Sequence, residues 1–304
     1  MFNKNNIFAI VRPDSKQKLK NCEDISWDEV IILDDNKQKI IYKRIKKKIL
    51  NLKITFNKIV VVCSELIYVF NSNNFQIIDA IKTGSNPKGL IGINFSQEMK
   101  ENEEKTIIVY PSPEEDPGHL TIKNYEKRNY LYLNPHIHKV NLFSLSSNGK
   151  YLITVAKNSD KMRVYNPKTG DKLDELTIEK DSIKFISIYS KGNIFATSSE
   201  KGNIDLWSLK KSNNIENQKD GVIEDKQDIN DLPTSNIHTK QFYFFKVDIA
   251  FNCIKEIKET YENFKFIDKN NLAIITSSWN FYIANFDVNL KKEEGECGIT
   301  KFNL

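Results

Sequence analysis

The chain has 304 residues, 39% of them hydrophobic and 28% charged, with a formal net charge of +5. That is apolar material enough for one large all-β domain or two smaller ones, and the mild basic excess is compatible with an anionic partner without naming one. Cys22, Cys63, Cys253 and Cys297 are widely spaced with no Cys-x-x-Cys pair. This argues against a disulfide framework or a zinc site and fits a reducing, cytosolic compartment. The opening MFNKNNIFAIVRPD lacks the apolar core of a signal peptide, and no apolar run reaches the length of a membrane-spanning helix. The expectation is a soluble chain whose membrane contact is peripheral.

Period-2 alternation dominates from the N-terminus onward, which predicts strands. DEVIILDD (28–35) is the first clear one. The basic run YKRIKKKIL (42–50) follows as an exposed connector; it either touches anionic lipid or is a solvated face. In ILNLKITFNKIVVV, Leu50, Leu52, Ile54 and Phe56 share a face, and Ile59–Val62 form a continuous apolar run. ELIYVFNS (65–72), HLTIKNYE (119–126), KMRVYNPK (161–168), NIDLWSLK (203–210) and FYIANFDV (281–288) repeat the pattern of DEVIILDD. Each is read as the second strand of a repeating unit, with most successive copies roughly 40 residues apart, the period of four-stranded propeller blades. Asn148-Gly149 and Lys191-Gly192 supply tight turns, since Asn and Gly tolerate positive φ.

Two segments interrupt the repeat. SQEMKENEEK (96–105) is a charged loop, and residues 210–240 are polar and poor in aromatics. The second is expected to be a disordered insertion inside one blade. The FYFF run (242–245) reads as a blade strand rather than a nucleic-acid stacking platform. His136 and His138 lie two apart with no further ligands spaced for a metal site. No Gly-x-Ser-x-Gly, P-loop, His-Glu-x-x-His or dinucleotide signature occurs, so neither catalysis nor a cofactor is expected.

The ordered series resembles the PROPPIN family, WD-repeat β-propellers that bind polyphosphoinositides in autophagy. NIFAIV with WDEVIILDD resembles the family's second blade. KIVVVCSELIYVFNSNNFQIIDAIKTGSNPKGL resembles the third blade and its link, and NPHIHKVNLFSLSSNGKYL through KTGDKLDEL the fifth. FATSSEKGNIDLWSL resembles the sixth and NFYIANFDVNLKKEEGECGITKFNL the last. The resemblance implies a single all-β domain over residues 1–304, a seven-bladed propeller whose first blade would precede NIFAIV. That blade is either lost or lies upstream of the chain start. The resemblance also implies a cytoplasmic protein peripherally associated with autophagosomal, endosomal or vacuolar membranes. Its implied partners are membranes carrying phosphatidylinositol 3-phosphate or 3,5-bisphosphate and autophagy or lipid-transfer proteins, with no nucleic acid.

Family members carry two headgroup pockets flanking a Phe-Arg-Arg-Gly motif, whose guanidinium forks pair with phosphate. Here Leu176, Thr177, Ile178 and Glu179 stand at that position. In the first pocket the resemblance retains Arg163, with His138 and Lys139 nearby, but puts Ala156, Ser159 and Asp160 where the family has Ser, Gly and Thr. In the second it retains Ser199 and Gly202, but puts Asn203 and Asp205 where the family has Thr and His. Lys180, Lys184 and Lys201 are near enough in sequence to compensate. A charge-assisted hydrogen bond contributes about 1.5–3 kcal/mol, and each ~1.4 kcal/mol is tenfold in affinity. Loss of two arginines is therefore expected to weaken or abolish headgroup binding. A protein-interaction scaffold without lipid recognition is the alternative, with its partner face around 72–90, including Asn86, Pro87 and Lys88.

Overall fold

A computed structural model describes residues 7–11, 28–35, 38–55, 57–94, 106–113, 118–125, 127–179, 183–189, 194–199, 203–211, 237–246, 261–276, 280–286 and 298–302. Every regular element among them is a β-strand, and all the pairings are antiparallel between strands consecutive in the chain. They form six sheets in two compact units, residues 1–139 and 140–304.

In the first unit, β1 (Ile7–Val11), β2 (Glu29–Asp34) and β3 (Lys39–Arg44) make a three-stranded sheet. A four-stranded sheet follows, of β4 (Asn51–Ile54), β5 (Lys58–Val62), β6 (Leu66–Asn71) and β7 (Ile77–Lys82). The third contains β8 (Gly92–Ile93), β9 (Ile107–Pro111), β10 (Leu120–Asn124) and β11 (Asn129–Leu133). In the second unit, the fourth sheet is β12 (Val140–Leu145), β13 (Leu152–Ala156), β14 (Lys161–Tyr165) and β15 (Lys172–Thr177). The fifth is β16 (Ile183–Ile188), β17 (Ile194–Ser199), β18 (Asn203–Lys211) and β19 (Ile237–Lys246). The sixth is β20 (Tyr261–Phe266), β21 (Asn271–Thr276), β22 (Phe281–Asn285) and β23 (Gly298–Phe302).

Successive side chains of a strand point to opposite faces, so a strand buried at every residue must have both faces covered. β5, β13 and β17 are such strands. The covering is sheet on sheet. Val60, Val62, Ile67, Val69 and Ile81 of the second sheet pack with Ile93, Ile108 and Tyr110 of the third. Ile153, Val155, Met162 and Val164 of the fourth pack with Phe195 and Leu209 of the fifth. Ile194, Ala196, Ile204 and Leu206 of the fifth meet Phe264, Phe266, Leu272 and Ile274 of the sixth. Each fully buried aliphatic side chain contributes about 1.5–3 kcal/mol. β2 differs: its residues alternate buried and half-buried, with Val30 and Ile32 packed on the second sheet.

Of the six strands read as second in their unit, β2 is the second of its three-stranded sheet, and β6, β10, β14, β18 and β22 are the third in theirs. The first and fourth strands were less visible because they are more mixed in polarity: β7 exposes four of its six residues and β15 buries none fully. Asn148-Gly149 forms the predicted turn between β12 and β13, with Gly149 at φ 65°. Lys191-Gly192 and 96–105 lie outside the described residues. The predicted insertion of 210–240 has narrower limits. β18 runs to Lys211 and β19 starts at Ile237, in register Lys210↔His238 and Lys211↔Ile237. The remaining 212–236 joins two neighbouring strands of one sheet and lies outside the described residues. FYFF falls within β19.

Candidate functional site

Arg163 sits mid-β14, directly opposite Glu175 of β15. Cross-strand neighbours of opposite charge attract, and here the Arg163 Nε donates to Glu175 Oε2 at 2.7 Å, with Lys172 Nζ donating to the same oxygen at 3.3 Å. The hydrogen bond from Arg163 holds the Glu175 carboxyl below its ordinary range, against a smaller opposing effect of burial. The cation carried over to the first pocket is thus engaged by a carboxylate of its own sheet.

The motif position is more regular than a connector. Leu176 and Thr177 are the last residues of β15, and the Ile178 N–H donates to Asp160 O at 2.8 Å. Leu176 and Ile178 pack against the core shared by the fourth and fifth sheets. Thr177 is exposed and its hydroxyl accepts from Lys161 Nζ at 2.8 Å. Glu179 is exposed. Alternation along an extended chain explains this: Leu176 and Ile178 point inward, Thr177 and Glu179 outward. Ile178, which the family resemblance sets at the motif's second arginine, is a packing residue.

His138 and Lys139 are exposed at the end of the first unit, in a loop where His136 is buried and Ile137 is 88% exposed. Gly118 holds that loop close, since a Cβ on it would lie 1.9 Å from His136 O. Ser199 is buried at the end of β17, Asp205 is half-buried opposite Thr197, and Ala156 is buried. Ser159 Oγ accepts from the Lys161 N–H, shaping the β13–β14 turn. Lys184 Nζ lies over the Phe185 ring at 5.5 Å. Gly202, Lys180 and Lys201 lie outside the described residues.

In the proposed partner link, Asn86 is 1% exposed and faces inward. Its side chain donates to Leu90 O (2.9 Å) and accepts from Leu90 N–H (2.7 Å). Gly89, at φ +62°, would place a Cβ 2.7 Å from Leu50 Cβ, so only glycine closes this loop. Asn86 organises the loop, while its neighbours Ser85, Pro87 and Lys88 are exposed. A lone sequence offers no signal separating an Asn that caps a loop from one that contacts a partner.

Among the described residues no His/Cys/Asp/Glu cluster could hold a metal ion, and no helix is long and apolar enough to cross a membrane.

Stacked four-stranded antiparallel sheets built from consecutive strands define the chain as a WD40-like β-propeller. Kluyveromyces lactis Hsv2 matches it with a TM-score of 0.62 at 16% identity, over 91% of this chain and 79% of that one. KlAtg21, solved in complex with the coiled-coil of AgAtg16, matches with a TM-score of 0.65 at 14% identity, over 97% and 80%. In sequence, autophagy-related protein 18e of Arabidopsis thaliana is 26% identical over 167 residues, 54% of this chain and 42% of that protein. The chain spans less than half the length of the curated relatives it matches. No family model matches it. In sequence and in fold the chain is similar to PROPPIN propellers.

Proposed function

We propose that this chain is a protein-interaction propeller of the autophagy or endomembrane system in which the family's phosphoinositide recognition is weakened. The observation that carries this is the Arg163–Glu175 pair, at 2.7 Å. A headgroup phosphate must displace a carboxylate that is already within hydrogen-bonding distance. The neighbouring Thr177 and Ile178 offer no replacement cation. The protein acts by binding rather than catalysis, in the cytosol and on autophagosomal, endosomal or vacuolar surfaces, with autophagy or lipid-transfer proteins as partners.

A second reading keeps the lipid function: an effector docked on phosphatidylinositol 3-phosphate or 3,5-bisphosphate. The exposed His138 and Lys139 favour it. Flotation with vesicles separates the two. Vesicles containing either phosphoinositide are compared with phosphatidylserine vesicles of matched charge, using the wild type, Arg163→Ala and Glu175→Gln. The interaction reading expects equal, weak flotation on all vesicles, with specific binding gained in Glu175→Gln. Specific flotation of the wild type that is lost in Arg163→Ala sinks it in favour of the effector.

A further inference from the structure

The outer rim of the first unit carries a feature that the headgroup pockets do not account for. Tyr130 and Tyr132 of β11 are 49% and 64% exposed. They stand opposite Lys123 and Thr121 of β10 in an unbroken register, so they share a face with Lys123. Lys123 Nζ pairs with Asp79 Oδ2 of β7 in the neighbouring sheet at 2.5 Å, and lies 5.3 Å from the centre of the Tyr130 ring and 5.1 Å from that of Tyr125. The pair ties the two sheets together under the tyrosines and fixes the Tyr130 ring. Ile77 and Ile78, both exposed, come just before Asp79 on β7.

Neighbouring exposed tyrosines, one of them held over an ordered ion pair, are the composition of an interface centre. Two properties define the occupant. Among the described residues β11 pairs only with β10, so its other edge can accept an extended chain by main-chain hydrogen bonding. The local charge is positive. Lys58 Nζ lies 5.2 Å from the Tyr125 ring, and the β10–β11 turn adds exposed Lys127 and Arg128. Lys58 and Lys123 are buried and Lys123 is paired with Asp79, so Lys127 and Arg128 are the cations that a segment docked here can reach. We propose that the Tyr130–Tyr132 edge of β11 is a docking site for an extended, acidic segment of a partner protein. An aliphatic or aromatic side chain of that segment seats against the two tyrosines, and its carboxylates face Lys127 and Arg128. The site deepens the interaction reading above and rests on it.

The test is selection from a displayed library of random linear dodecapeptides on the immobilised full chain. Enriched peptides are then titrated against the wild type, Tyr132→Ala, and the Lys127→Glu/Arg128→Glu double variant. Circular dichroism and thermal melting confirm that each variant is folded; both alter exposed side chains. Peptides pairing Asp or Glu with an apolar anchor are expected, with affinity lowered about tenfold or more by Tyr132→Ala and lowered also by the charge reversal. Selected peptides that bind all three proteins equally overturn the site while leaving the interaction reading intact, as does a failure to enrich any peptide. Flotation on phosphatidylserine vesicles that is lost in Tyr132→Ala overturns the site in a different way, making this rim a membrane contact.

Discussion

Two outer strands, β11 and β15, each lie beside a cation–carboxylate pair, and the pairs do opposite things. Lys123–Asp79 joins two sheets, with side chains 10% and 30% exposed. Arg163–Glu175 lies within one sheet, with side chains 27% and 29% exposed. The first pair leaves aromatic surface standing over it. The second occupies the cation that the family resemblance assigns to lipid. Surface character follows: β11 exposes two tyrosines, whereas on β15 only Lys172 and Thr177 are fully exposed. The placement of an ion pair, rather than its presence, decides whether a rim strand presents a binding face or closes one.

The largest expected effect tests that contrast directly. Lys123→Met removes the inter-sheet pair and two ring contacts while leaving Asp79 mostly covered. Removing one partner of a buried pair costs about 3–5 kcal/mol; Asp79 is part-exposed, so a loss nearer ~2 kcal/mol is expected in urea unfolding. Arg163→Met should cost less, about 1 kcal/mol, because both members of its pair are part-exposed whereas Lys123 is buried. Equal costs would erase the distinction between the two rims. Double-mutant cycles sharpen it. The coupling of Asp79 with Lys123 should exceed that of Arg163 with Glu175 by about 1 kcal/mol, and 1 M salt should weaken the second coupling more than the first.

Much of the fold was legible because alternation and its turns are local. The continuous apolar run Ile59–Val62 read as a core strand and lies in one, the fully buried β5. The outer strands were harder, because an edge that faces solvent needs no apolar pattern. The site was only partly legible. The family resemblance puts Thr177 and Ile178 at the motif, but which of them faces inward depends on β15 continuing in register to the Asp160 carbonyl. Glu175 is not legible as a partner for Arg163 in the sequence, because the pairing depends on the β14–β15 register across a turn. Tyr130 and Tyr132 were invisible as a feature for the same reason: NYLYL is an ordinary strand until Lys123 and Asp79 are brought beneath it from two sheets.

Titration separates the two pairs by sign. Burial pulls the Lys123 ammonium down, but its hydrogen bonds with Asp79 and Tyr130 and their charges together outweigh this, and the pKa ends above its ordinary value. A group whose pKa rises on folding adds stability that is complete below its unfolded value and is lost as pH climbs through the folded one. Lys123 therefore acts on the alkaline limb, beyond about pH 10. Glu175 is shifted the other way, by Arg163 first. Its contribution is complete above its unfolded value, about 4.3, and is lost as pH falls through the lower folded value. Glu175→Gln should thus flatten the acid limb of stability below about pH 4.3 and leave the alkaline limb unchanged. Lys123→Met should do the reverse. Stability measured by urea unfolding from pH 3 to pH 11 reads both limbs in one series. If Glu175→Gln left the acid limb as steep as in the wild type, Arg163 would not be held by that carboxylate, and the argument that the first pocket is closed would lose its support.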